Sequence, residues 1–225
     1  MAQPGKPGFR ILENPSRPDA ELVRRLGEFA TPNLADVMGR FHFMDSGIQS
    51  RTGLRLCGAA VTVMARPGDN LMVHKAMEIA QPNEIVVVST NGNTTNAVFG
   101  ELMGHAAVTV ELGGVVVDGA VRDIKELIEI GLPVFSRSIC AGGCDKDGPG
   151  EINVPISCGN TVVMPGDVMV GDAQGVVVIP QADAAEVFRL VTELTHRERR
   201  RIEEIAGGQI FKPEIDDTLK AKGVI

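Results

Sequence analysis

Short apolar runs and segments of helical periodicity alternate through the middle of the chain. The apolar runs at 85–89, 115–117 and 133–135 have the character of buried strands, and 101–111 and 121–130 carry apolar residues at helical spacing. Strands that alternate with helices in this way are typical of parallel β-α-β-α-β units. The pattern therefore predicts an α/β fold with such a unit at its centre.

Further short strands flank this unit and predict an added β layer. They are expected at 59–63, 153–157, 161–163, 168–171 and 176–179. A polar loop is expected at 91–96, and a short helix begins at Thr31, the expected N-cap, with Pro32 at the first helical position. A long charged helix is expected over 182–206, where Gly207 ends it.

The two ends of the chain differ from this pattern in composition. Residues 1–18 are rich in Pro and Gly and predict a flexible arm. Residues 19–210 are expected to form a single catalytic α/β domain, followed by a tail at 211–225 that can add one short helix.

Composition and charge narrow the class of partner. The chain has 225 residues, a formal net charge of −7, and neither Trp nor Tyr. An acidic chain without these aromatic residues is poorly suited to holding a nucleic acid. It has no apolar run of the ~18 residues that a membrane helix needs, and its start lacks the apolar stretch of a secretory signal. We therefore expect a cytoplasmic protein, without membrane contact, whose four cysteines are reduced thiols.

Charged residues follow two of the predicted strands at the point where each gives way to a helix. Glu101 begins one helix, and Arg122 and Asp123 begin the next. Because the carboxyl ends of parallel strands share one edge of the sheet, where ligands bind, these side chains are expected to converge. The free amides of Leu102 and Met103 in the first helical turn would add an anion site.

This set of groups suits a divalent cation chelated by a 2-oxo acid, because Mg²⁺ needs only one or two protein carboxylates and keeps several waters. The alternative is that Glu101 and Asp123 only stabilise the starts of their helices through the helix dipole.

A wider pattern accompanies these residues. It covers the segments 31–39, 58–63, 68–70, 100–103, 113–123, 131–135, 165–167 and 175–180. Its most specific motif is an acid, twenty intervening residues and then Arg-Asp, which Glu101, Arg122 and Asp123 satisfy. Between residues 20 and 210 the chain thereby resembles the superfamily of the class II 4-hydroxy-4-methyl-2-oxoglutarate (HMG) and 4-carboxy-4-hydroxy-2-oxoadipate (CHA) aldolases. The regulator of ribonuclease activity A belongs to the same superfamily.

The resemblance implies a swivelling β/β/α-type fold and roles for individual residues. Asp123 would be the direct protein ligand of Mg²⁺ or Mn²⁺, and Arg122 would bind the keto acid and stabilise the enolate of pyruvate. Glu101 would position or deprotonate a water, although characterised aldolases often have Asp at this place, which leaves the proton route open. The substrate carboxylate would be held by Gly100, Leu102 and Met103, together with Arg122.

The resemblance also implies trimers or hexamers with active sites between subunits. A carboxylate from the late helix of a neighbouring subunit would complete each site. Glu198 is the expected match, with Glu203 and Glu204 as alternatives.

The implied activity is a pyruvate aldolase acting on HMG or CHA, with oxaloacetate decarboxylase activity through the same enolate. A lyase acting on another 2-oxo acid is one alternative, and a non-catalytic regulator that binds a ribonuclease is another. The regulatory branch can lack the acid after the arginine, so the presence of Asp123 favours an enzyme.

Overall fold

Strands and helices alternate between residues 56 and 139 of the computed structural model, which describes residues 5–13 and 15–225. Its strands are β1 (Gln49–Ser50), β2 (Leu56–Ala65), β3 (Ile85–Phe99), β4 (Gly114–Val121), β5 (Val134–Ile139), β6 (Gly150–Ile152), β7 (Ile156–Cys158), β8 (Thr161–Val163), β9 (Val168–Asp172) and β10 (Gly175–Ile179). Its helices are α1 (Ala20–Leu26), α2 (Thr31–Val37), α3 (Leu71–Ile79), α4 (Glu101–Thr109), α5 (Ile124–Ile130), α6 (Ala184–Ala206) and α7 (Pro213–Ala221).

The main sheet has the strand order β1-β5-β4-β3-β2-β9-β10, and β6 pairs with β2. Strands β2, β3, β4 and β5 are parallel neighbours, whereas β9 and β10 add to the β2 edge in antiparallel fashion. Strands β7 and β8 form a separate small sheet. The predicted α/β class, with a mostly parallel central sheet and a long C-terminal helix, is confirmed.

Both faces of the parallel unit are covered, which explains why its strands read as continuous apolar runs. Val86 and Val88 face the cluster that contains residues of α3, α4 and α5. Ile85 and Val87, at the alternate positions, face a second cluster that includes Ile156 of β7. A third cluster packs α1, α2 and α6 against β9 and β10.

Strand β3 is longer than the sequence pattern predicts. The polar segment 91–96, expected as a loop, belongs to the strand, which continues to Phe99. The pairing of β3 with β4 shifts register between Ser89 and Asn93 and again between Asn93 and Ala97. These bulges absorb the extra residues and bring the chain to Gly100 beside the end of β4.

Two other local predictions are wrong. The N-cap of α2 is Ala30 rather than Thr31, because Thr31 lies in the first turn and its hydroxyl donates to Asp172 Oδ1 at 2.7 Å. No single strand covers 153–157: β6 and β7 are separate, and Asn153 between them has a left-handed backbone with φ of 57°. Asparagine tolerates a left-handed backbone, and this conformation at residue 153 interrupts the extended chain between β6 and β7.

Near the N-terminus the described chain pairs with β6, and near the C-terminus it forms a helix. Residues 10–12 run beside β6, where Ile152 N donates to Arg10 O at 2.9 Å and Leu12 N donates to Ile152 O at 3.1 Å. Residues 1–4 and 14 of the predicted flexible arm lie outside the described residues, and the division at 18 and 210 stays a prediction. The tail contains the helix α7. No described helix combines the length and the apolar character that crossing a membrane requires.

Candidate active site at the ends of β3 and β4

The junctions β3–α4 and β4–α5 lie side by side at one edge of the sheet. Arg122 N donates to Phe99 O at 3.0 Å, which ties the first residue after β4 to the last residue of β3. Glu101 N donates to Asp123 Oδ2 at 3.1 Å, so the carboxylate of one junction binds the first helical amide of the other. The structure therefore brings together Glu101, Arg122 and Asp123.

Asp123 has an unusual backbone conformation for a non-glycine residue, with φ of 58° at the N-cap of α5. Its side chain does not cap α5 but turns towards α4 and lies 3.4 Å from Arg122 Nε. The Arg122 and Asp123 side chains are 47% and 36% exposed, so both remain open to a ligand. Among the described residues, Asp123 Oδ1 accepts no hydrogen bond and is free for a further partner.

The start of α4 presents backbone donors to the same place. Gly100 is the N-cap, and the first helical hydrogen bond runs from Gly104 N to Gly100 O at 2.9 Å. The amides of Leu102 and Met103 precede this bond and have no acceptor within the described chain. Two adjacent free amides at a helix N-terminus form an anion site.

These groups line a cavity of about 240 Å³. Its other wall contains four side chains that sequence reasoning missed as site residues: Asn70, His74, Cys144 and Lys146. The turn at 68–70 belongs to the family pattern, but no local signal links it to residue 146, which lies more than seventy positions away. The guanidinium of Arg122 approaches this wall, since a Cβ built on Gly143 would lie 3.5 Å from Arg122 Nη1.

The donor set suits a hard dication rather than zinc. The described residues contain no cluster of three or more His, Cys, Asp or Glu side chains arranged for a metal. Asp123 and Glu101 offer carboxylate oxygens beside open solvent, which fits Mg²⁺ or Mn²⁺ that keep most of their waters. Burial raises the pKa of the Cys144 thiol, which disfavours the thiolate that zinc would require.

A larger cavity, about 770 Å³, lies elsewhere, beside α1 and the turn at 81–84. Its charged groups are paired with one another: Arg17 with Glu84, and Arg24 with Glu21 and Glu28. Burial raises the pKa of its thiol, Cys57, to about 11. Charged groups that are already paired with one another are less available to a ligand. The smaller cavity is therefore the better candidate for the active site.

Glu198 lies on the exposed surface of α6, and its Oε2 accepts a hydrogen bond from Asn33 Nδ2 at 2.6 Å. Neither it nor Glu203 or Glu204, further along α6, lines the cavity beside Arg122 within one chain. A contribution of α6 from a neighbouring subunit stays a prediction.

The carboxylate of Asp69 holds the wall loop 145–148 against the start of α3. Its Oδ2 accepts from Asp147 N and Gly148 N, each at 2.8 Å, and its Oδ1 accepts from Leu71 N at 2.9 Å. Burial alone raises the pKa of Asp69, but these backbone donors outweigh it and hold the pKa below its usual value. The ionised carboxylate of Asp69 therefore joins the loop 145–148 to the start of α3.

Asp69→Asn is expected to lower the free energy of unfolding by about 1–3 kcal/mol at neutral pH, because an amide NH₂ would face backbone donors. A folded-state pKa below the unfolded value of about 3.9 stabilises the protein above that pH, and the stabilisation is lost as pH falls through the folded-state pKa. Urea denaturation of both proteins should therefore show a difference in the free energy of unfolding that narrows as pH falls below the unfolded value of about 3.9. Asp217→Asn, at an exposed position of α7, is the matched control. A difference in the free energy of unfolding that stays constant with pH would contradict this role of the Asp69 carboxylate.

Comparison with known proteins relates the chain to one family. The RraA-like model, described as Aldolase/RraA, matches residues 31–178. A protein of Halalkalibacterium halodurans named "Putative 4-hydroxy-4-methyl-2-oxoglutarate aldolase" is 42% identical over 175 residues, 77% of this chain and 83% of that protein. The 4-hydroxy-4-methyl-2-oxoglutarate aldolase of Thermus thermophilus is 27% identical over 154 residues, 68% of this chain and 94% of that protein.

A solved structure with the same fold carries a different function in its name. The RNA-processing inhibitor RraA from Thermus thermophilus matches with a TM-score of 0.63 at 27% identity, covering 68% of this chain and 93% of that chain. One bacterial species thus supplies both a relative named as an aldolase and a structure named as an inhibitor.

Proposed function

This chain belongs to the RraA-like family, and within that family we propose that it is a divalent-metal-dependent lyase. It cleaves HMG or CHA, releases pyruvate, and also decarboxylates oxaloacetate. The observation that carries the proposal is the meeting of Arg122, Asp123 and the free amides of α4 in one open cavity. Names of relatives support the aldolase class and leave the metal and the decarboxylation as proposals.

In the proposed reaction, each of these residues has a separate role at the pyruvyl half of the substrate. The amides of Leu102 and Met103 bind the C1 carboxylate at the start of α4. Arg122 donates to the C2 oxygen and stabilises the negative charge that develops there as the C3–C4 bond breaks. Glu101 takes up the proton of the C4 hydroxyl through a bridging water, and that proton is later returned to C3 along the same path.

Asp123 would hold Mg²⁺ or Mn²⁺ directly, and Glu101 would hold it through water. When bound, the cation supplies a positive charge that polarises the 2-oxo group. Oxaloacetate decarboxylation needs the same groups, because loss of its terminal carboxylate produces the same enolate of pyruvate.

We further propose a homotrimer or homohexamer in which a late-helix carboxylate of a neighbouring subunit, Glu198 in the first instance, reaches the cavity. The Leu102 side chain is 83% exposed at the rim of the site, where an adjoining subunit would cover it.

The proposal is tested by measuring the release of pyruvate from HMG in a coupled NADH assay with added Mg²⁺. EDTA is expected to lower the rate at least about tenfold, and excess Mg²⁺ or Mn²⁺ to restore it. The absence of enzyme-dependent pyruvate from HMG, CHA and oxaloacetate would refute a pyruvate lyase, and EDTA-insensitive turnover would refute the metal dependence.

Gly100→Ala is expected to lower kcat/KM for HMG by about 100-fold with little change in melting temperature. A Cβ at this position would lie 2.6 Å from Asp123 Oδ2 and 3.0 Å from Arg122 Cγ, so both site residues must move. The backbone of Gly100 is extended and accepts any residue, so the effect is steric rather than conformational. Gly207→Ala, where a Cβ meets only carbonyl oxygens at 3.4 Å or more, is the control. Full activity in Gly100→Ala would contradict the proposed placement of the substrate.

The second candidate is a regulator that binds a ribonuclease, which the name of the matching inhibitor structure favours. Asp123 beside Arg122 favours the lyase. Tight binding to a ribonuclease by a protein without turnover on any 2-oxo acid would reverse this preference.

A further inference from the structure

Near its N-terminus the described chain lies along the strand that follows the wall of the candidate site. Residues 8–12, which we call the strap, run parallel to β6 through a bridge between Ile11 and Ile152. Gly150 N donates to Gly8 O at 2.8 Å where this pairing begins. Because β6 pairs with β2 along its other edge, the strap extends this side of the sheet.

The ring of Phe9 joins the strap to the loop before β6. Phe9 packs against the core cluster that contains residues of α3, α4 and α5. A Cβ built on Gly148 would lie 2.6 Å from Phe9 Cε1 and 3.6 Å from Leu71 Cδ2, so the ring lies directly on the backbone of Gly148. The amide of Gly148 also donates to Asp69 Oδ2 at 2.8 Å. Gly148 is therefore held by a carboxylate and by an aromatic ring.

The segment 143–148 connects this contact to the site. Its residues Gly143, Cys144 and Lys146 line the cavity beside Arg122. A Cβ built on Gly143 would lie 3.5 Å from Arg122 Nη1, so the backbone of this segment is a near neighbour of the guanidinium. The position of the segment therefore determines the space beside the group that we propose for the C2 oxygen of the substrate.

The strap itself has few and incomplete hydrogen bonds. One oxygen of Glu151, Oε1, accepts from Gly8 N at 2.7 Å and lies 3.1 Å from Arg10 Nε. Asn153 Nδ2 donates to Leu12 O at 2.8 Å, but its buried Oδ1 has no partner among the described residues. A buried acceptor without a partner lowers the stability of the packing around it. An edge segment of this kind is expected to open before the core of the domain does.

We propose that the strap is a positioning element for the reaction: docked along β6, it holds the segment 143–148 beside Arg122, and its docking and the binding of substrate favour each other. The strap contributes no group to the reacting atoms. The inference rests on the proposed function and extends it to residues that precede position 31, where the match to the RraA-like model begins. The coupling is reciprocal, because a wall that the docked strap has already ordered costs less to order when a ligand binds.

Hydrogen–deuterium exchange of the full-length protein tests this coupling. With Mg²⁺ and saturating pyruvate, peptides that cover 8–13 and 149–153 are expected to exchange at least about fivefold more slowly than with Mg²⁺ alone. A peptide over 100–104 reports the binding of pyruvate itself, and one over α7 is the control that should not change. A strap that only stabilises the fold would exchange at the same rate in both samples. Protection at 100–104 without protection of the strap would overturn the proposal.

Phe9→Ala removes the ring that lies on Gly148 and is expected to lower kcat/KM for HMG by about tenfold, measured well below the melting temperature so that all of the protein is folded. Phe9→Leu keeps much of the apolar volume and should recover most of the loss. Phe29→Ala is the matched control, because Phe29 is also half-buried but packs on Phe188 and does not approach the cavity. Wild-type turnover in Phe9→Ala, or equal losses in Phe9→Ala and Phe29→Ala, would overturn the positioning role.

Failure of this inference can be told apart from failure of the proposed function. If the wild-type protein releases no pyruvate from HMG and pyruvate with Mg²⁺ protects no peptide, the proposed function fails and the role of the strap fails with it. If the wild type is active but the strap gains no protection, only the role of the strap fails. The exchange experiment uses the unaltered protein, so it decides the question even if Phe9→Ala does not fold.

Discussion

Arg122→Met is expected to lower kcat/KM for HMG cleavage by about 1,000-fold, because in the proposed reaction the guanidinium at the end of β4 stabilises the charge that develops on the C2 oxygen. Methionine keeps the length and much of the apolar volume of the side chain, so the change removes charge and donors. Arg122→Lys restores the charge without the two-pronged donor geometry and should recover only part of the loss. Initial rates of pyruvate release across a range of HMG concentrations measure the effect.

The fold should tolerate this substitution. The one ion pair of Arg122 within the described chain is with Asp123, at 3.4 Å and with both partners partly exposed. Such a pair is worth only about 0–1 kcal/mol, so the melting temperature should change little. Arg189→Met, on the exposed side of α6, removes an arginine that pairs only with Glu186 and Glu193 and should leave turnover intact. A loss smaller than tenfold in Arg122→Met would remove this residue from the reaction.

Asp123→Asn is expected to weaken Mn²⁺ binding by about 100-fold or more and to abolish most metal-dependent turnover, because it removes the negative charge of the ligand that we propose for the metal. Asparagine is the informative choice, since it tolerates the left-handed backbone that Asp123 adopts. It also keeps an oxygen that can accept from Glu101 N. The remaining difference is therefore the charge.

Titration with Mn²⁺, followed by electron paramagnetic resonance of the free ion, measures this effect independently of catalysis. Asp217→Asn removes the same charge from the exposed surface of α7 and should bind Mn²⁺ like the wild type. Wild-type affinity in Asp123→Asn would show that another group holds the metal.

The meeting of Glu101, Arg122 and Asp123 could be predicted from the sequence because these residues sit at predictable places. Each follows a strand of a parallel unit, and the carboxyl ends of such strands meet at one edge whatever the rest of the fold does. Glu101, Arg122 and Asp123 therefore converge as expected, and the amides of Leu102 and Met103 follow from the start of α4.

Other parts of the site depend on contacts between distant segments. The loop that contains Lys146 contacts the turn before α3 through backbone hydrogen bonds and the Asp69 carboxylate. No local sequence pattern at residue 70 or 146 predicts that contact. The start of α2 shows the same limit: Thr31 has the chemistry of an N-cap, but it bonds Asp172, 141 residues away.

By itself, the sequence determined the alternation of strands and helices, the parallel unit and the position of its charged junctions. These properties follow from side-chain periodicity and from the direction in which parallel strands run, both of which are local or nearly so. Only the tertiary structure decided that β3 would continue through its polar residues, and that Asn70, His74 and Lys146 would line the same cavity as Arg122. The physical reason is that register shifts and loop-to-loop hydrogen bonds are selected by the packing of the whole chain.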